Sequence, residues 1–321
     1  MSALSLRAAV GLLAAALIAC ATQADAAEKL RVAKPTPTAY SFSLIDLGIE
    51  KGIFQKHGVE IELLTLAGGA KIAQAMVAGS IDIGFGSGLD FGYIARGATE
   101  KAVAAMAGPM LNIAITVRND GSVPTVADLK GKRIGITTPG TITDWAAREL
   151  SRRQGWGPEG MQIVPLGGPD GTIGALMAKN TEAVSGAVEG GLQLESQGRG
   201  KVLVNFGDTI KVFLTHAIYA TNDLMAKRPD DLRAFLRGWF ETVAYMRGNK
   251  DETVRITRQV TRLSPEVAER VYDIQRAMFS VDGRFDPEAV RVVKQALLDT
   301  GMSEKMPDDR MLFTEEFLPS R

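Results

Sequence analysis

From Leu30 onward the chain alternates short apolar runs, rich in Val, Ile, Leu and Ala, with longer stretches of helical composition. The runs fall at Leu30 to Ala33, Val59 to Leu64, Ile81 to Phe85, Val103 to Met106, Ile113 to Val117, Arg133 to Thr137, Gln162 to Leu166, Val184 to Val188 and Val202 to Phe206. Each is of strand length. Between them, Gly69 to Ala78 and Asp144 to Gln154 have helical composition and helix-stop signals near their ends, so the pattern predicts βαβ units on mostly parallel sheets. Beyond about Lys227 the pattern changes to consecutive helices, at Asp230 to Arg247, Asp251 to Thr261, Pro265 to Phe279 and Pro287 to Thr300, with Ser264-Pro265 and Asp286-Pro287 as start signals. No repeat of solenoid length interrupts this order.

Clusters of Gly, Ser and Thr stand just after several of the predicted strands: Gly68-Gly69, Gly86-Ser87-Gly88, Thr137 to Thr141 and Gly167 to Gly171. Open α/β sheets bind ligands at this carboxyl edge, and helix N-termini there present unpaired N–H groups suited to an anionic or strongly polar group. Any one cluster reads equally as an ordinary βα turn. Several together favour binding.

The length of 321 residues exceeds what one hydrophobic core usually fills and predicts two lobes. Lys+Arg and Asp+Glu both number 37, so no bulk charge draws the chain to nucleic acid or anionic lipid. There are only two histidines, His57 and His216, far apart in sequence, and no H-E-x-x-H or Cys/His cluster for a transition metal. No serine sits in G-x-S-x-G, and Gly84-Phe85-Gly86-Ser87-Gly88 lacks the third glycine of a dinucleotide loop. These absences point away from hydrolase, metalloenzyme and nucleotide chemistry, and predict a protein without a cofactor.

The first 26 residues differ from the rest: Arg7, an apolar run from Ala8 to Ala19, then Ala24-Asp25-Ala26, the layout of an export signal. The run is shorter than the ~20 residues needed to span a bilayer. Cleavage after Ala26 removes the only cysteine, Cys20; alternatively, Leu17-Ile18-Ala19-Cys20 resembles a lipobox that would leave Cys20 lipidated at the N-terminus.

Three longer segments carry a family resemblance. Ile49-Glu50-Lys51-Gly52-Ile53-Phe54 with His57 to Glu62 resembles an opening of the type "ekGlFekeGldVel"; Gly68 to Ala78 followed by Gly79-Ser80-Ile81-Asp82-Ile83-Gly84 is similar to "qaLaaGeiDvg"; Val126 to Gly135 resembles "sladLkGKkvgv". In this order they resemble the NMT1/THI5-like, SsuA/TauA-type periplasmic substrate-binding proteins of ABC importers for sulfonates, taurine, nitrate and pyrimidine precursors. The resemblance implies a type II periplasmic-binding-protein fold, with two α/β lobes joined by two crossing strands and a helical C-terminal portion. On it, residues 1–26 are a signal peptide, 27–112 plus 217–321 form lobe 1, and 113–216 form lobe 2. It implies a monomeric periplasmic receptor whose partners are a small solute and ABC permease subunits, not nucleic acid. Two alternatives are an extracytoplasmic sensor module and a thiamine-pyrimidine biosynthetic enzyme.

Carried over by position, the family's ligand loops fall on Thr38, Tyr40, Gly68, Gly69, Ala70, Ser87, Gly88, Thr138, Gly140, Thr141, Asp144, Trp145 and Glu189. Tyr40 and Trp145 either flank an apolar ligand body or pack in the core; Ser87, Thr138, Thr141 and Asp144 are hydrogen-bonding candidates. The chain departs from the family pattern at Val188-Glu189-Gly190-Gly191, where a W-x-P motif often stands. Glu189 there can accept from an amine or ring N–H. No arginine stands in these loops, which speaks against a bare inorganic anion.

Overall fold

The computed structural model describes residues 29–320, so the export segment and Cys20 lie outside the described residues. Among the described residues, ten strands form two five-stranded sheets. The first, in the order β2-β1-β3-β10-β4, comprises β1 (Leu30–Lys34), β2 (Ile61–Thr65), β3 (Ile83–Ser87), β4 (Glu100–Ala107) and β10 (His216–Thr221). The second, in the order β7-β6-β8-β5-β9, comprises β5 (Ile113–Arg118), β6 (Arg133–Ile136), β7 (Gln162–Pro165), β8 (Ala183–Ala187) and β9 (Gly200–Asn205). All nine apolar runs overlap strands. The tenth, β10, is the strand that the hydrophobic pattern did not mark.

The helices of nine residues or more are α1 (Tyr40–Glu50), α2 (Gly69–Val77), α3 (Ile142–Arg153), α4 (Pro169–Met177), α5 (Val188–Ser196), α6 (Pro229–Gly248), α7 (Lys250–Thr261), α8 (Pro265–Gln275) and α9 (Pro287–Asp299). The C-terminal starts follow the expected chemistry. Pro occupies the first turn of α6, α8 and α9, and Asp286 caps α9 by accepting from the Ala289 N–H at 2.8 Å. α1 corrects one expectation: Tyr40, placed in a loop from sequence, is its first residue.

Each sheet is mostly parallel, with one reversed strand. β10 runs antiparallel to both β3 and β4, and β5 to both β8 and β9. These are the two strands reached immediately after the chain passes from one sheet to the other, through residues 108–112 and 206–215. The two passages are fastened together, because the Asn112 and His216 side chains meet at 2.8 Å (Nδ2 to Nε2). β5 is buried along its whole length, as expected of a strand covered on both faces.

The C-terminal helices close over the first sheet, with Trp239 of α6 tilted against Phe85 of β3 at 5.0 Å between ring centroids and Phe235 stacked on Phe54 at 5.3 Å. In the second lobe Arg118, at the end of β5, donates from Nη1 to the carbonyls of Leu176 and Thr181 at 2.9 and 2.7 Å. One planar guanidinium therefore holds the end of α4 beside the approach to β8. No helix among the described residues is long and apolar enough to cross a membrane.

Candidate functional site

A cavity of about 410 Å³ opens between the lobes. Three helix starts border it: Thr36, Thr38 and Ala39 leading into α1, Thr172 and Ile173 in the first turn of α4, and Glu189 and Gly190 in the first turn of α5. The other side is the turn between α7 and α8, Thr261 to Leu263, and Gln193 and Gln197 extend the wall along α5. Glycine at 190 keeps the space clear, since an added Cβ would stand 3.2 Å from Cδ1 of Ile173.

Glu189 is the pivotal side chain. It is 5 % exposed, and its Oε1 accepts the main-chain N–H of Tyr40 at 3.0 Å, a bond from one lobe to the other. Its Oε2 is buried without a hydrogen-bond partner among the described residues. Burial raises the pKa of this carboxyl above its ordinary value, against the opposing pull of its own main-chain N–H, the Tyr40 N–H and the Gln275 side chain. Further bonds cross between the lobes nearby, from the Ser264 N–H to Gln193 Oε1 at 3.3 Å and from Arg270 to Glu195 at 3.0 Å.

Of the residues expected from sequence, Thr38 and Glu189 line the cavity and Tyr40 bounds it through its main chain. The Tyr40 ring is buried, edge-on to Phe279 at 6.4 Å. The others lie outside the cavity lining. Gly68 caps α2 with φ +85°, and Gly69 and Ala70 follow in its first turn. A Cβ on Gly69 would come within 2.4 Å of Asp90, whose carboxylate accepts the N–H and hydroxyl of Ser87 at 3.2 and 3.0 Å. The chain's own carboxylate thus occupies the space between these two turns, and its burial pushes its pKa up to about 6. Gly88 packs against the Leu214 carbonyl.

The loop before α3 is likewise closed on itself. The Thr141 hydroxyl donates to the Thr138 carbonyl at 2.7 Å, and the Gly140 N–H donates to Asp144 Oδ2 at 2.9 Å. Asp144 Oδ1 accepts from Arg148 Nε at 2.8 Å. Trp145 is buried and stacked on Phe213 at 4.7 Å, under the second passage between the sheets.

Arg262 was missed from sequence. It ends α7 in the left-handed region, φ +58°, and lines the cavity from the first lobe, more than two hundred positions from Thr38. No local signal marks it, since its approach depends on how α7 docks. The two histidines lie elsewhere: His57 is paired with Glu241 at 2.8 Å and His216 is held by Asn112.

The sequence profile described as NMT1/THI5-like matches residues 41–253. Over 227 residues the chain is 24% identical to a protein of Brucella abortus known by name only as a binding protein, covering 69% of this chain and 68% of the relative. It is 25% identical over 206 residues to the 4-amino-5-hydroxymethyl-2-methylpyrimidine phosphate synthase of Schizosaccharomyces pombe, covering 60% of this chain and 58% of that one. The alkanesulfonate-binding protein SsuA of Xanthomonas axonopodis pv. citri, solved with bound MOPS, superposes with a TM-score of 0.73 at 17% identity, covering 87% of this chain and 94% of the other.

Proposed function

This chain belongs to the NMT1/THI5-like family, and from that premise we propose that it binds a small polar organic solute between its lobes and delivers it to the permease subunits of an importer. The observation that carries this reading is the interlobe cavity itself. Both lobes line it, and three helix starts border it. A space of about 410 Å³ is of the size that holds small organic ligands.

Binding without chemistry fits a lining made mostly of Thr, Gln and small or apolar residues around Glu189 and Arg262. An extracytoplasmic, periplasmic site of action is supported by the apolar stretch from Ala8 to Ala19 and the Ala24-Asp25-Ala26 site. The domains of this reading are lobe 1, from residues 27–112 with 217–321, and lobe 2, from 113–216, closing on the solute.

A thermal-shift screen of sulfonates, amino-sulfonic acids, carboxylates, pyrimidines and polyamines on the mature chain tests the proposal. A solute present at a hundred times its dissociation constant adds about 2.7 kcal/mol of stability by mass action, a shift that melting curves resolve. A screen in which no solute raises the melting temperature sinks the solute-binding reading.

A further inference from the structure

The lobes meet on two flanks that are built differently. On the first, Glu189, Gln193 and Glu195 of α5 bond across to Tyr40, Ser264 and Arg270. On the second, the turn that follows α9, Thr300 to Met302, faces the loop that leads into α3. Among the described residues the polar link across this second flank is an ion pair from Arg152 to Asp299 at 3.4 Å, with the arginine side chain 39 % exposed. A pair so long and so open to water contributes little. Packing on this flank therefore rests on the side chain of Met302.

Met302 lies where two glycines, one from each lobe, make room for it. A Cβ added to Gly92, in the short helix Phe91–Ala95 of the first lobe, would stand 2.9 Å from Cε and 3.0 Å from Cβ of Met302. A Cβ added to Gly140, in the second lobe, would stand 2.8 Å from Sδ and 3.2 Å from Cγ. The thioether is thus clamped between the lobes, with its sulfur against Gly140. Both sides of the clamp are fixed. Gly140 sits at φ +77° with its N–H donated to Asp144, the neighbouring Thr141 hydroxyl is donated to the Thr138 carbonyl, and Met302 is held by its own N–H to the Leu297 carbonyl at 2.8 Å.

Although clamped, Met302 is only half-buried, so a small oxidant reaches it. Met76, Met106 and Met246 are 2 % exposed or less, Met306 and Met311 are 46 and 49 % exposed, and the described residues contain no cysteine to react first. We propose that Met302 is an oxidation-sensitive latch between the lobes: conversion of its thioether to the sulfoxide by a peroxide releases the loop around Gly140 from the turn after α9. The sulfur lone pair attacks one oxygen of hydrogen peroxide, the S–O bond forms as the O–O bond breaks, and the other oxygen leaves as water with the proton of the first. The sulfur is oxidised by two electrons and the peroxide is reduced. The new oxygen is a polar acceptor that needs a donor or water. At the Gly140 loop the nearby N–H and hydroxyl are already given to Asp144 and Thr138, so the sulfoxide turns toward solvent and carries the sulfur off Gly140.

Peroxide treatment of the mature chain, followed by peptide mapping and amide hydrogen exchange read by mass spectrometry, tests the proposal without any solute. Met302 should be converted after Met306 and Met311 and before Met76, Met106 and Met246. Conversion should make the amides of residues 138–145 exchange several-fold faster, and a methionine sulfoxide reductase should restore their protection. In Met302→Leu, which fills a similar volume without sulfur, the same treatment should leave exchange in 138–145 unchanged even though Met306 and Met311 are oxidised. Met302→Gln, whose amide stands in for the sulfoxide, should show the faster exchange with no peroxide added. Melting curves establish that both variants are folded, and the treated and untreated parent decide the matter should either fail to fold. The proposal is overturned by a Met302 that stays a thioether while Met306 and Met311 are fully converted in the folded protein, or by a converted Met302 with exchange in 138–145 unchanged. It is equally overturned by a treated Met302→Leu that loosens as the parent does, which would place the effect in other methionines.

Discussion

Tyr40 donates its main-chain N–H to Oε1 of Glu189 over 3.0 Å, joining the first residue of α1 to the first turn of α5 across the gap between the sheets. The bond places a carboxylate at a boundary where it is 5 % exposed, and burial raises its pKa. A carboxyl whose folded-state pKa lies above its unfolded value contributes stability that is complete below the unfolded pKa, about 4.3 for Glu, and is lost as pH rises through the folded pKa. Glutamine keeps an acceptor for Tyr40 and cannot ionise. Glu189→Gln should therefore gain stability relative to the unaltered chain as pH increases from 4.5 to 8, measured by solute-free melting curves. A difference that does not change across this range refutes the assignment.

His216 carries the opposite sign. Burial pushes its imidazole down to about 4, against an opposing main-chain contact with Gly86, while the Asn112 side chain lies against Nε2. A histidine with a depressed folded pKa contributes stability above its unfolded value, about 6.5, that is lost as pH falls toward 4. The C2–H proton resonance of His216 in the folded protein should titrate with a midpoint near 4. A midpoint at the ordinary imidazole value would mean that the two passages between the sheets admit water.

Two glycines give a paired test of packing. At Gly88 an added Cβ would stand 2.2 Å from the Leu214 carbonyl oxygen, which is main chain and has little room to withdraw. Gly88→Ala should cost about 1–3 kcal/mol. Gly174, inside α4, has nothing within 4 Å of the same added atom. Gly174→Ala should stabilise by roughly 0.5–1 kcal/mol, because alanine restricts the unfolded chain and suits a helix. Denaturant midpoints for both variants check the sign in each case.

Trp145 is 4 % exposed and stacked on Phe213. Trp145→Ala should destabilise the solute-free protein by about 3–5 kcal/mol through the space it leaves. A urea midpoint unchanged from the parent would show that the ring is not part of the core.

Much of the fold is legible in the sequence because burial on both faces of a mostly parallel sheet leaves continuous apolar runs. Nine strands announce themselves this way, and the prolines and Asp286 mark the C-terminal helices. β10 is less legible. His216 and Tyr219 interrupt its apolar character, and both are accommodated only by tertiary partners, Asn112 for the first and the Ser87 carbonyl for the second. The site is legible as a rule and elusive in its members. Helix starts after strands do border the cavity, yet the turns at Gly69, Ser87 and Gly140 are filled by the chain's own Asp90 and Asp144. Which turn stays open is decided by where acidic side chains fold back. Arg262 is hidden for a different reason, since it belongs to a helix end whose position is set by packing.

The second sheet is inserted into the first through two passages whose ends lie side by side. Ala107, the last residue of β4, is paired with His216, the first of β10, and on the other side Ala114 is paired with Asn205. Entry and exit thus form a two-wire connector of fixed spacing. Whatever is plugged into it must present two adjacent strand ends and the α5 face that Tyr40, Ser264 and Arg270 bond to. Such a layout makes the inserted half portable: it can be exchanged for the corresponding half of a relative as one piece, changing one wall of the cavity while the wall that holds Arg262 and Thr38 stays where it is.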